Sequence, residues 1–273
     1  MIGTVLLRLG EAWLLCAALQ LVLWLVQQRT HNAGIVDVGW AGSFTAIAAL
    51  YALTATSGRA TYAPIAIVVV LWSARLASHL VSRGAATGPE EGRYLTLREK
   101  WAPHASGRFL VFFQAQGALA AVLSSAFVVP FVAEPWDGGG VRAAGVVVAV
   151  LGLAGETLAD LQLSRFKRVP ANRGRVCDVG LWQYSRHPNY FFEWCVWLGY
   201  AVYGLAFAPW GLIAIGPQAL LLVSILFVTG IPPTEMQSIR SRGDAYRAYQ
   251  KRVSKFIPWP PKRVLSADRA ISR

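Results

Sequence analysis

Seven apolar runs recur along this chain, at 5–26, 35–53, 62–81, 109–132, 141–163, 190–207 and 210–230, each close to the ~20 residues that an α-helix needs to cross hydrocarbon. Within lipid every backbone N–H and C=O must find its partner inside the protein, which leaves α-helices and closed barrels, and runs this long and continuous are helical. With 55% of its 273 residues hydrophobic and 15% charged, the chain is predicted to be all-α, a polytopic membrane protein of about seven transmembrane helices. No internal repeat of solenoid length interrupts it, and the glycine turn at 138–140 is its only linker-like stretch, so residues 1–273 read as one integral membrane domain.

The 26 Lys and Arg residues orient these spans, because short cytoplasmic loops hold an excess of them. With the amino terminus outside and the carboxyl terminus cytoplasmic, the cytoplasmic segments take Arg29, then Arg83 to Arg108, then Arg165 to Arg186, then the tail from Arg240 to Arg273. Arg8, Arg59 and Arg142 fall outside, and Arg75 lies within a span. The net charge of +12 then reflects topology and attraction to membrane lipids, and nucleic acid is not expected as a partner. The first run lacks a basic n-region and a convincing cleavage site, and is expected to stay in the mature chain. Cys16, Cys177 and Cys195 have no metal-ligand spacing, so neither a disulfide nor a metal site is expected.

Polar side chains inside such spans are costly, and they are the candidates for chemistry. Asp37, early in the second span, is a proton-handling candidate; the bland alternative is a helix-end carboxylate that snorkels to water or pairs with an arginine. Arg75 and His79 are four apart in the third span and share a helical face with Trp72. They line either a pocket for an anionic group or carbonyl, or an ion pair in which Arg75 neutralises Asp37. Gln114 and Gln116 in the fourth span are explained adequately by helix–helix hydrogen bonding.

The densest polar group runs from Asp160 to Glu193. Glu156 and Asp160 are four apart on the fifth span, and Lys167 follows on a similar face. Carboxylates there accept from the hydroxyls or amide of a nucleotide, while Lys167 and the basic loop meet its phosphates; the alternative is a structural salt-bridge network. Pro188 is expected to start the next helix with Asn189 in its first turn, presenting backbone N–H groups beside Arg186 and His187. Asn189 and Glu193 would face Asp160 if the two helices pack side by side. Tyr184 and Trp182 offer stacking surface or an interfacial anchor. The tail, 232–261, alternates basic residues with Tyr246, Tyr249, Phe256 and Trp259, and reads either as an interfacial amphipathic helix or as a lid that closes Tyr249 over a nucleotide.

GLWQYSRHPNYFFE, preceded by ETLADLQLSRFK and NRGR and followed by YRAYQKRVSKFIPW, resembles the bacterial branch of the steroid 5-alpha-reductase family, DUF1295. IVDVGW, LWSARLASHL, EEGRY and FQAQG support the match. The resemblance implies a seven-helix fold in the bacterial inner membrane that binds NADPH in a cytoplasm-facing cavity and reduces an activated carbon–carbon double bond of a hydrophobic lipid substrate. It makes helices 1–4, at 1–133, mainly the substrate side, and 141–262 mainly the cofactor-binding half. It implies that Asp160, Lys167, Asn172, Arg173, Tyr184, Arg186, His187, Asn189 and Glu193 contact or orient the cofactor, helped by Arg75 and Tyr249. Asp37 would lie near the substrate carbonyl, holding a donor or donating itself, with Trp72 and Gln116 as substrate contacts. The chain departs from the steroid reductases at three positions: Val36 stands where they carry a glutamine, Trp72 where they carry a tyrosine, and Phe192 where NYFG or NYxG carries glycine. With that tyrosine replaced, His79 or Tyr94 is expected to serve as proton donor.

RHP-x-Y also occurs in isoprenylcysteine and phospholipid methyltransferases, which makes an S-adenosylmethionine-dependent methyltransferase the rival enzyme. Those proteins carry adjacent glutamates after the final span, where this chain has Glu235 alone. The non-enzymatic rival is a lipid-binding or transport protein with Asp37, Arg75 and Glu156 along its path; the internal repeats and broken helices usual in transporters are not evident.

Overall fold

The computed structural model describes residues 1–136 and 138–262. Among them the chain forms ten α-helices and no strand: α1 Ile2–Thr30, α2 Ile35–Leu53, α3 Arg59–Ser82, α4 Gly92–Trp101, α5 Ala105–Leu123, α6 Gly140–Arg168, α7 Pro188–Leu205, α8 Ile215–Val223, α9 Ile231–Arg242 and α10 Asp244–Arg252. Arg263, Arg269 and Arg273, which the charge pattern assigns to the cytoplasmic tail, lie outside the described residues.

Among the described residues, six segments are long and apolar enough to cross a membrane: Ile2–Thr30, Ile35–Leu53, Arg59–Ser82, Ala105–Ala126, Gly140–Arg168 and Trp210–Arg242. The chain is a multi-pass membrane protein. The remaining expected span, 190–207, also forms as a helix, and it begins at Pro188 as predicted, but Asn189, Glu193, two Trp and three Tyr lower its apolarity. Val196, Trp197, Tyr200 and Tyr203 on it are buried within the protein, where a helix need not be apolar all round. Contacts divide the chain into two compact units, Met1–Val146 with Tyr200–Pro217, and Val147–Gly199 with Gln218–Arg273.

The first unit packs α1, α2, α3 and α5 around aromatic side chains. Phe44 meets Trp40 and Trp72 edge-on at 5.1 and 5.4 Å between ring centroids, and Phe127 meets Tyr200 at 6.0 Å. Within a bilayer, whose lipid tails are as apolar as these rings, the rings hold the helices together by close packing instead of by exclusion of water. Ser73 ties α3 to α2, donating through Oγ to the Ala41 carbonyl at 2.6 Å and accepting from the Thr45 N–H at 3.1 Å. Glu134 caps the start of α3, accepting from Gly58 N–H at 2.7 Å and Thr61 Oγ1 at 3.0 Å.

In the second unit α6 and α7 approach so closely that a Cβ on Gly152 would stand 2.6 Å from the Val196 nitrogen. A Cβ on Gly155 would stand 2.3 Å from the Phe192 ring, so the phenylalanine at the family's glycine position is accommodated by a glycine on the neighbouring helix. The loop after α6 folds back on it: Trp182 Nε1 donates to the Ala159 carbonyl at 3.0 Å, and Leu181 N–H to Gln162 Oε1 at 2.8 Å. The tail docks beside the start of α7, where Arg186 N–H donates to the Ser254 carbonyl and Ser185 Oγ to the Phe256 carbonyl, at 2.9 and 2.7 Å. Tyr246 and Tyr249 of α10, with Val253 just after it, are buried against Val176 and Ile239. The apolar stripe of α10 is thus covered by protein, whereas Met236, Ile257 and Trp259 elsewhere in the tail are exposed.

Candidate functional site

Each unit holds one polar grouping. The first grows where the α1–α2 turn meets the segment leading into α4. Asn32 pins this corner, accepting from Gly34 N–H and donating to the Gly88 carbonyl, both at 2.9 Å. Glu90 is nearly enclosed and accepts from Ala33 N–H at 2.7 Å and from Arg98 Nη2 and Nε at 2.7 and 3.0 Å. Burial works against its charge, but the Arg98 and Ala33 hydrogen bonds prevail and hold this carboxyl below the usual carboxylate range. The Arg98 guanidinium also lies 4.8 Å from the centre of the Phe109 ring.

This clamp sets the register of α4. Tyr94 is buried with Val36, Phe109 and Phe113, and its hydroxyl reaches both carboxylate oxygens of Asp37 at 2.9 Å. Asp37 stands in the first turn of α2, where the helix N-terminus favours a carboxylate, and pairs with Arg93. The Arg93 guanidinium lies 4.6 Å from the centre of the Tyr94 ring. Burial, and after it the Asp37 charge, push the Tyr94 phenol well above its ordinary pKa. Tyr94 is therefore a neutral donor at physiological pH, its hydroxyl held by both oxygens of the Asp37 carboxylate.

The second grouping centres on Glu235 of α9. Its Oε1 accepts from Arg186 Nε at 2.7 Å and meets His187 Nε2 at 3.3 Å, while Oε2 accepts from Gln250 Nε2 at 2.9 Å. Arg186 Nη1 donates to the Gln250 and Val253 carbonyls at 3.0 and 2.8 Å. His187 stacks on Tyr190 with ring centroids 5.6 Å apart. Burial holds its imidazole below the ordinary histidine pKa, although the Glu235 carboxylate pulls the other way. The neutral ring then presents N–H to Glu235 through Nε2. Beside this knot Asn189 Nδ2 donates to Asp160 Oδ1 at 3.3 Å, so the first turn of α7 does face Asp160.

Several residues predicted to touch a cofactor serve the chain itself. Asn172 Nδ2 donates to the Phe166 carbonyl at 3.0 Å and closes the end of α6. Tyr249 is 4% exposed, and its hydroxyl donates to the Trp182 carbonyl and to the Ser185 carbonyl, so it is a packing residue instead of a mobile lid. Lys167 and Arg173 are exposed, Tyr184 is 39% exposed, and Glu193 is half-buried on α7. In the first unit Arg75, His79 and Gln116 are half-buried on their helices, whereas Trp72 is enclosed in the aromatic core. The guanidinium that meets Asp37 belongs to Arg93, not to Arg75 as the ion-pair alternative had it, because α4 forms within the loop and carries Arg93 to the start of α2. Arg93 and Glu235 are the hubs that sequence reasoning missed; EEGRY pointed to the first, and a lone glutamate beside two prolines gave little signal for the second.

Residues 23–253 match the family described as "Protein of unknown function (DUF1295)". The chain belongs to the DUF1295 family. DUF1295 is the steroid 5-alpha-reductase-like group. The DUF1295 chain is also similar to the "Uncharacterized protein C594.04c" of Schizosaccharomyces pombe, 25% identical over 269 residues that cover 87% of this chain and 76% of the relative. No solved structure matches it.

Proposed function

We propose that this protein is an NADPH-dependent reductase of a carbon–carbon double bond conjugated to a carbonyl in a hydrophobic lipid, acting in the inner membrane of a bacterium. The observation that carries this reading is the Tyr94 hydroxyl held by both oxygens of Asp37. A buried phenol that is neutral at rest can turn its one proton from Asp37 to a substrate carbonyl oxygen, where the hydrogen bond stabilises the negative charge that develops during hydride transfer. Asp37 orients the phenol, and a proton taken up by this carboxylate from water, beside the more than half exposed Arg93, would restore the phenol after each turnover.

The donors of the second unit fit a pyridine nucleotide. Asp160 and Asn189 present an acceptor and an amide for hydroxyl or carboxamide groups, and exposed Lys167 and Arg173 offer cations for phosphates. Those four residues, with Glu193 and Tyr184, would hold NADPH. Arg186, His187, Asn172 and Tyr249 position the loops that carry them. Bound NADPH would supply the hydride that goes to the β-carbon.

Thermal unfolding of the detergent-purified protein with NADPH, NADP, NADH and S-adenosylmethionine tests this reading. A ligand present at about 100 times its Kd stabilises by about 2.7 kcal/mol. Selective stabilisation by NADPH and NADP, diminished in Asp160→Asn, is expected. Stabilisation by S-adenosylmethionine alone would replace the proposal with methyl transfer.

A further inference from the structure

Beyond α10, residues 254–262 form a strap beside the start of α7, kept from helix by Pro258, Pro260 and Pro261. Its backbone is taken up by the chain. The Ser254 and Phe256 carbonyls accept from Arg186 N–H and Ser185 Oγ, and Trp259 and Lys262 N–H donate to the Tyr184 and Arg252 carbonyls, both at 2.9 Å. Its side chains divide. Phe256 turns inward, its ring centroid 5.6 Å from that of Phe191 and 6.0 Å from that of Trp194, whereas Ile257 and Trp259 are 59% and 69% exposed.

Lys255 fixes the level of this strap against the bilayer. Its Nζ donates to the Leu226 carbonyl at 3.4 Å and lies 6.0 Å from the centre of the Phe227 ring. Both residues belong to the π-helical turn Ser224–Val228, near the end of the 210–230 apolar run, where Phe227 and Val228 are themselves exposed. A lysine there lays its stem along apolar side chains and holds its ammonium where hydrocarbon gives way to headgroups. Exposed Ile257 and Trp259 stand beside it in sequence, and a membrane boundary is where an indole settles. The charge is one-sided as well. From Ala245 to Lys262 the chain has five cations and no Asp or Glu. Arg247 and Arg252 pair with Asp244 and Asp178, which leaves Lys251, Lys255 and Lys262 exposed and, among the described residues, neutralised by no carboxylate.

We propose that the strap is a docking surface for an anionic phospholipid: Ile257 and Trp259 enter the headgroup boundary of the leaflet, and Lys255 and Lys262 take the phosphate. An ammonium has three N–H donors, so Lys255, with one turned to the Leu226 carbonyl, keeps two for phosphate oxygens. A zwitterionic headgroup brings its own cation to this surface, and an anionic one does not. An acidic protein or a nucleic acid would meet the same lysines but leave Ile257 and Trp259 in water. The inner side of the strap holds Arg186 and Ser185, so a lipid bound on its outer side fastens the Arg186–Glu235 knot by mass action. Neither the reductase reading nor a cofactor is needed for this.

The test titrates the detergent-purified full-length protein with short-chain phosphatidylglycerol or phosphatidylcholine and counts bound lipid by native mass spectrometry. Phosphatidylglycerol is expected to bind more tightly and to raise the unfolding temperature more. Lys255→Gln should weaken phosphatidylglycerol binding about fivefold, the equivalent of about 1 kcal/mol for one cation at an anionic surface, and leave phosphatidylcholine binding unchanged. Ile257→Ser combined with Trp259→Ser should weaken both lipids, and Lys100→Gln, at an exposed lysine of α4, should weaken neither. Equal binding of the two lipids by the wild type, or an equal loss in Lys255→Gln and Lys100→Gln, would overturn the proposal. Displacement of phosphatidylglycerol by inorganic phosphate, beyond that by chloride at the same ionic strength, would overturn it in favour of a site for free anions.

Discussion

The two polar groupings use similar residue types for opposite ends. At the start of α2, Tyr94 and Asp37 point their functional atoms at each other, and the surrounding charges, Glu90 with Arg98, hold them there. At the start of α7, Arg186, His187 and Glu235 expend their hydrogen bonds on the chain, fastening the tail and α9 to the loop before the helix. The richer cluster in sequence is therefore the more architectural one. Charge density at a membrane boundary marks a place that matters, but only the partner of each atom tells chemistry from scaffolding.

Mutations can break this contrast. Tyr94→Phe keeps the buried ring and removes the donor, and is expected to lower the rate of lipid reduction by about 10²–10⁴-fold while the protein stays folded. A loss below tenfold in a steady-state assay would remove Tyr94 from the chemistry. Glu235→Leu should act the other way, leaving Arg186 and His187 without their carboxylate and lowering stability by about 3–5 kcal/mol in thermal or denaturant unfolding. Wild-type stability in that variant would show that the knot is not the scaffold described.

His187 sharpens the comparison through pH. Its pKa is depressed in the folded state, so between that value and the ordinary ~6.5 the unfolded chain binds more protons, and stability falls as pH falls through this window. The unfolding midpoint should drop as pH is lowered below about 6.5, and His187→Gln should flatten that slope. The smallest effect is expected at Arg252, whose 2.7 Å pair with Asp178 is exposed on both sides. Arg252→Ala should cost no more than about 1 kcal/mol, and less in high salt.

Hydropathy alone located most of the helices, because a span must be apolar over its length. It located α7 as well, although the Trp and Tyr buried there by protein leave that helix less apolar than the others, but it said nothing of α4, a short polar helix inside a loop. The Asp37–Tyr94 meeting joins residues 57 apart, and the Arg186–Glu235 pair residues 49 apart, separations that no periodicity encodes. Asp160 with Asn189 was legible, because Pro188 marks the start of α7 and two helices packed side by side bring its first turn to Asp160 on α6. Tyr249 misled for a physical reason: an aromatic residue on an amphipathic tail looks alike whether lipid, ligand or protein covers it.

The central claim is that this chain moves hydride to a lipid with the Asp37–Tyr94 pair as proton source. Membranes containing the wild type or Tyr94→Phe, incubated with NADPH deuterated at the transferable position and a total lipid extract, put it to the most direct test by mass spectrometry. The account predicts a deuterium-labelled, saturated lipid that appears with the wild type and is strongly reduced with Tyr94→Phe. Absence of any labelled lipid with the wild type, or equal labelling by both proteins, would contradict it.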